Sequence, residues 1–428
     1  MNRPKLTSIH RNGFWRYLAV VSILAVAYFG AAKIAFSILD LDIDPSPFWP
    51  PAGLALAILL VEGRLVWPGV ALGSFFFCRS LDIPELAAYG IAIGSTLQAI
   101  IGSELLHRMR FRPSLERLRD VLQLVVVGVW ISPTINATIS TIVAYLTHSL
   151  YPHSWQENWL ILWLGDGMGI LIVTPVLLVL SQAILELRSP SFNWAILRKS
   201  QIWSKLNPIP LIPKPASAHQ EEKISQRVEA LVCFSLLFAI SWIVFSSKTT
   251  MGLAQYPLEY LPFPFVVWAA LRLGQQGAVT ATLIVCLGSI WGTAQGVGPF
   301  VAKADDIQQA ILFLHGFMGV ITVTALVLAA AETERASAVD LLKEREASLA
   351  NAQRLAQLGN WDYYEMCHAK PIPQPHLRWS DELYRLFGFI PGDVEPSWEA
   401  FFEVVHPGDR ERVGQAIRDA LRDNQPYC

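Results

Sequence analysis

The sequence predicts an all-α polytopic membrane bundle of eight to ten spans, followed by a signalling helix and an incomplete α/β domain. Three observations predict this. Apolar runs fill residues 14 to 330, and mean hydropathy over the chain is +0.38. Charged residues make up 16% of the 428, where a soluble domain carries about 25%. Past residue 330 the composition turns charged and rich in helix formers, and then alternating and turn-forming. The expected division is a tail at 1–15, a membrane domain at 16–330, a linker helix at 331–356 and a soluble domain at 353–428.

Residues 17–38 form the first span, broken only by Lys33 and long enough for the roughly 20 residues a membrane helix needs. It is too long for a cleavable signal peptide and lacks a small-residue cleavage pattern. Further apolar runs lie at 49–61, 65–78, 87–106, 121–146, 159–180, 229–246, 261–271, 276–294 and 308–330. Those at 49–61, 65–78 and 261–271 are short.

Charge placement orients them. Arg3, Lys5, Arg11 and Arg16 precede the first span, the 107–119 loop holds five arginines, and the 181–228 loop is basic. The loops DLDIDPSPF, SLDIPE and THSLYPHSWQEN are acidic or neutral. Lys and Arg collect on the cytoplasmic side. Ten crossings therefore put both termini in the cytoplasm of a multi-pass membrane protein. The alternation holds only if 49–61/65–78 and 261–271/276–294 each go in and come back.

Those two pairs look alike. Each opens on prolines and a large aromatic, turns at an Arg-and-Gly hinge and returns through small residues. An internal repeat and common membrane-turn chemistry both account for this.

Polar groups inside apolar runs are the candidate sites. Asp166 lies seven residues into a span, flanked by Gly165, Gly167 and Gly169, which leave room for another helix or a ligand. A carboxylate there needs an interior or a wet cavity. It is either a ligand or ion contact in a sensing pocket or a hydrogen-bond hub locking helices. Asn136, after Pro133, is placed to line the same interior. Trp49 and Trp268, in the two broken segments, join them as ligand or sensing candidates. Glu104 and His107 sit near a span end, where snorkelling accounts for them.

Catalysis finds no foothold. H-E-x-x-H and G-x-S-x-G are absent, and Cys78, Cys233, Cys286, Cys367 and Cys428 show no C-x-x-C spacing. No catalytic residue, metal site or cofactor is evident. The net charge of −2 gives no basic field for nucleic acid.

Residues 331–356 contain neither Pro nor Gly. Ala338, Leu342, Leu349, Ala352 and Ala356 fall on a seven-residue seam flawed by Arg335 and Arg345. That seam suits either a parallel coiled coil in a homodimer or a solvated single helix. LGNWDYYEM then alternates as a strand, and a loop with Pro371, Pro373 and Pro375 follows. Ser380 is a good N-cap for a helix whose face holds Leu383, Leu386 and Phe387. Asp409 can cap a last helix carrying Val413, Ile417 and Leu421, and His406 reads as a loop anchor.

Residues 16 to 330 resemble MASE1, a bacterial integral-membrane sensory module. The resemblance is carried by Phe48, Trp49, Pro50, Pro51, Ala52 and Gly53; by Trp67, Pro68 and Gly69; by Gly165 and Asp166 with Thr174 and Pro175; and by Pro262, Phe263, Trp268 and Arg272. Residues 353 to 428 are similar to the start of a PAS domain of the H-P-x-D-R type. There the matching residues are Trp361, Trp379, Ser380, Gly388, His406, Pro407, Asp409 and Arg410. An extra segment, CHAKPIPQPH, separates the first two strands.

The resemblance implies an input module in the lipid bilayer of the bacterial inner (plasma) membrane that senses a signal, small-molecule or membrane-derived, and relays it through a helix to the PAS part. The output domain expected downstream, of a histidine kinase or diguanylate cyclase, is missing from the 428 residues, and the PAS part lacks its last three strands. The runner-up is a secondary transporter with a regulatory domain, with Asp166 as its coupling carboxylate.

Overall fold

The computed structural model describes residues 7–38, 48–147, 154–188, 216–246, 256–364 and 376–423. The acidic loop at 39–47, the neutral one at 148–153, most of the basic 181–228 loop, the proline-rich segment, Cys367 and Cys428 lie outside them.

The chain divides into two compact units, Met1–Arg335 and Ala336–Cys428. The first is helical throughout. Its helices are α1 (Thr7–Ile38), α2 (Pro50–Glu62), α3 (Trp67–Arg79), α4 (Glu85–Arg108), α5 (Leu118–Gln123), α6 (Ser132–Leu146), α7 (Trp155–Arg188), α8 (Ala216–Ser246), α9 (Phe263–Ala294), α10 (Pro299–Lys303) and α11 (Ile307–Leu355). A π-helical stretch, Leu124–Ile131, runs α5 into α6. It sits just before Pro133, whose missing N–H breaks the ordinary ladder, and the wider turn absorbs the mismatch.

Seven helical stretches are long and apolar enough to cross a membrane. That count of seven, made over the described residues, treats α9 as one crossing, but Gly274 is non-helical (φ 61°, ψ −149°). A side chain at Gly277 would overlap the carbonyl of Ala269, eight residues earlier. In an unbroken helix those positions stand ~12 Å apart along the axis. The chain therefore folds back at Gly274 into two arms, 263–273 and 275–294.

The first broken pair behaves the same way. Gly63 (φ 92°, ψ 165°) ends α2, and α3 returns until Phe77 meets Trp49 at the head of α2, ring centroids 5.3 Å apart. Prolines open α2, α3 and α9 within their first two residues, where a missing N–H costs least. All ten apolar segments of the sequence thus have helical counterparts.

Both fold-backs lie at one end of the bundle. Arg16 at the start of α1 pairs with Glu62 at 3.5 Å, and the Tyr17 hydroxyl donates to the Leu65 carbonyl. Arg64 and Arg108 both pair with Glu104. Gln275 donates through Nε2 to the Leu115 carbonyl, and the Leu118 N–H to Glu334. Glu104, expected only to snorkel, is thus half-buried between two guanidiniums. At the opposite end Lys303 pairs with Glu259 at 2.7 Å.

Small residues make the interior. Ala269, Ala270, Ala278, Ala281, Ala325, Ala329 and Ala330 are all fully buried. Two membrane helices gain contact through close backbone approach, since lipid tails are as apolar as leucine. The tightest crossing joins α2 to α7. A Cβ on Gly53 would overlap the Gly169 carbonyl, one on Gly169 would overlap the Trp49 carbonyl, and Thr174 donates to the Gly53 carbonyl at 3.0 Å.

The second unit holds β1 (Trp361–Tyr364) and β2 (His376–Trp379), paired antiparallel with Trp361 opposite Trp379. Helices α12 (Asp381–Leu386), α13 (Trp398–Val404) and α14 (Arg410–Asp423) follow. Ser380 caps α12, accepting from the Leu383 N–H at 3.3 Å, and Ser397 caps α13. Trp379, Leu383, Tyr384 and Ala400 form its buried cluster, with Trp361, Phe387 and Phe401 against it. The Asp409 carboxylate engages Arg412 at 3.0 Å, and His406 Nδ1 accepts from the Gly408 N–H. Gly388 has φ 80°, a left-handed conformation suited to glycine where a helix ends.

Candidate functional site

Asp166 is 2% exposed, in the interior of the first unit. Asn136 on α6 donates through Nδ2 to its Oδ2 at 2.7 Å, and Ser140, one turn on, donates to Asn136 Oδ1 at 2.9 Å. Gly94 on α4 leaves the space Asn136 occupies: a Cβ there would stand 2.6 Å from its Oδ1. Gln98, one turn along α4, approaches the carboxylate, although its Nε2 forms no well-aligned hydrogen bond.

A second polar group adjoins this one. The Tyr28 hydroxyl on α1, fully buried, lies in hydrogen-bond reach of Ser95 on α4, Ser74 on α3 and the Trp49 indole. The Ser74 and Ser95 hydroxyls are 3.4 Å apart. Trp49 is tied to Asp166 through the backbone as well, its N–H donating to the Gly165 carbonyl at 3.1 Å. One polar network thus joins α1, the head of α2, α3, α4, α6 and α7.

Such a network is built for packing. No cation faces Asp166 among the described residues, so neutral donors carry the whole compensation for burying it. Space beside it is taken by protein: the Trp49 carbonyl abuts Gly169, and the Val129 carbonyl stands 3.0 Å from where a Gly167 Cβ would be. Of the two uses open to those glycines, the structure shows helix contact.

Of the residues expected to line a common interior, Asp166, Asn136 and Trp49 come together. Trp268 does not. Its indole donates at 2.9 Å to Glu229 on α8, which also holds Arg272 at 2.9 and 3.1 Å. This second cluster sits on the arm leading to Gly274, near the arginine-rich end. Tyr28, Ser74, Ser95, Ser140 and Gln98 were missed from sequence. Gln98, an amide in the middle of an apolar helix, was the legible signal among them.

The MASE1 family model matches residues 17–336. The chain belongs to the MASE1 family. A PAS fold model matches residues 376–428. Comparison with curated proteins and with solved structures returned no match. A MASE1 membrane sensory domain followed by a PAS domain makes this chain a membrane signal-sensing module. Within the MASE1 domain, the Trp49–Gly53 and Gly165–Pro175 motifs meet each other at the α2–α7 crossing.

Proposed function

We propose that this module converts a change of packing around Asp166 into a movement of α11, which carries it to the PAS domain. The observation that carries this reading is α11 itself. It runs 49 residues without a break, ~73 Å at about 1.5 Å per residue, against a hydrocarbon core of ~30 Å. Its first half is core, with Leu314, Met318, Ile321, Ala325, Leu326 and Ala329 buried. Residues 334–352 are all exposed.

Contact between site and helix supports the relay. Met168, two residues past Asp166, places its Cε 3.4 Å from where a Gly319 Cβ would stand on α11. A shift of α7 therefore meets α11 directly. The arginine-rich end of the bundle supports cytoplasmic termini by the positive-inside rule.

On the exposed half, Leu342 is 60% and Leu349 64% exposed. Two leucines one heptad apart on bare helix favour a second copy of the chain as their cover, in a homodimer. Two packings a few kcal/mol apart suffice for a switch. Crosslinking of cysteine at position 342 between copies, with position 344 much weaker, tests the pairing. Equal crosslinking at both would reduce the helix to a tether. An output domain in the complete gene product, of the histidine kinase or diguanylate cyclase class, would be the recipient.

A further inference from the structure

A cavity of about 430 Å³ lies between α1, the head of α2, α8 and the second arm of α9. That volume falls in the range of about 300–1,000 Å³ typical of small-molecule sites. Its walls include Phe48, Pro50, Trp242, Gly288 and Trp291, and no charged side chain is among them. Trp242 and Trp291 are also outward-facing, 58% and 45% exposed, so the cavity borders the surface that meets lipid.

Two serines, Ser241 and Ser246, break the apolar lining. Ser241 is 2% exposed, and its Oγ has no hydrogen-bond partner. Hydroxyls in such helices ordinarily bond a carbonyl one turn back. Ser132 bonds Gly128, Thr293 bonds Ser289, and Ser246 at the cavity edge bonds Trp242. Of the two serines in the lining, Ser241 departs from that habit. A buried hydroxyl left unpaired destabilises the fold, and a bound polar group would relieve that.

We infer that this cavity binds an uncharged, mostly hydrocarbon molecule that enters from the bilayer and places one hydroxyl or carbonyl group on Ser241, whose Oγ, enclosed in the wall, turns to meet it. The absence of charge in the lining excludes ionic headgroups. The apolar walls suit a chain or ring system, and the one unpartnered hydroxyl, both donor and acceptor, suits one polar head. The position matters for sensing. Phe48 and Pro50 flank Trp49, whose backbone N–H and indole engage Gly165 and Tyr28. An occupant would press on both neighbours of the residue that seats the Asp166 network. Binding at this site does not depend on the relay reading.

The test uses the full chain in phosphatidylcholine nanodiscs with a diazirine derivative of 1-hexadecanol as photoprobe. Labelling of the segments holding Trp242 and Trp291 is expected to saturate with probe concentration. Excess 1-hexadecanol should lower it at least fivefold, while excess hexadecane, lacking a head, should compete several-fold less well. Ser241→Ala should weaken capture several-fold. Gly288→Phe should abolish it by filling the space; a Cβ at Gly288 starts at ordinary contact distance, 3.7 Å from Ser241 Cβ and 3.8 Å from Phe245 Cδ2. Non-saturable labelling that free alcohol does not displace would mean that phospholipid acyl chains merely brush the cavity, and would overturn the proposal. Equal competition by hexadecane would equally overturn it, because Ser241 would then select nothing. Both competition arms use the unaltered protein, so they decide the matter even if a variant misfolds.

Discussion

Asn136 Nδ2 and Asp166 Oδ2 lie 2.7 Å apart, a buried hydrogen bond between helices whose partners are 30 residues apart in sequence. Removing either partner strands the other in a dry interior. Asp166→Ala is expected to destabilise the bundle by about 1–3 kcal/mol. Asp166→Asn keeps the shape and an acceptor and should cost less. A double-mutant cycle with Asn136→Ala should give a coupling of about 0.6–1.7 kcal/mol, from the average to the largest value found for hydrogen bonds between membrane helices. Thermal unfolding of the four proteins in one detergent checks this. Additive effects would show the pair to be energetically idle.

The α2–α7 crossing makes a sharper prediction. Gly53→Ala and Gly169→Ala each force a methyl group onto a backbone carbonyl, which cannot rotate away. Each should cost at least the ~1–3 kcal/mol of ordinary overpacking. Gly30→Ala is the control: nothing stands within 4 Å of the added atom, and alanine is the better helix former by ~1 kcal/mol. Monodispersity on size-exclusion chromatography should fall for the first two variants only.

The fold-backs predict labelling. Leu65, beside Gly63, is 77% exposed, and Gln276, beside Gly274, is exposed. In a cysteine-free background, Leu65→Cys and Gln276→Cys should both react with an impermeant thiol reagent from the cytoplasmic side. Reaction of position 276 from the periplasm would mean that α9 crosses once, and the internal pairing of its arms would be wrong.

Expressed alone, residues 353–428 should lack a cooperative thermal transition. Among the described residues this unit has two strands of four residues each, and four residues form its buried cluster. A two-stranded sheet is marginal in water. A sharp transition by near-ultraviolet circular dichroism would refute the expectation.

Much of this architecture was legible because bilayer and chain impose simple lengths. Pro50–Pro51 and the EGR turn read as a broken pair, and Gly63 and Glu62–Arg64 are where the chain reverses. Asp166 and Asn136 stood out because each is polar inside an apolar run. Tyr28, Ser74 and Ser95 did not, because a membrane helix is apolar toward lipid and core alike. Periodicity then says nothing about which side faces inward. Trp268 was grouped with Asp166 because the second broken segment resembles the first, which holds Trp49. Its true partner, Glu229, lies near the start of the α8 span, where a charge raises no alarm.

Disulfide formation at position 342 tests the central claim most directly. With the native cysteines replaced, Leu342→Cys and Glu344→Cys are compared in membranes, each with Asp166 intact and as Asp166→Ala. The relay from Asp166 through Met168 to Gly319 and along α11 predicts that the Asp166 change alters the rate at position 342 at least threefold, with position 344 slow in both backgrounds. An unchanged rate at 342, in protein that remains folded by size-exclusion chromatography, would contradict it.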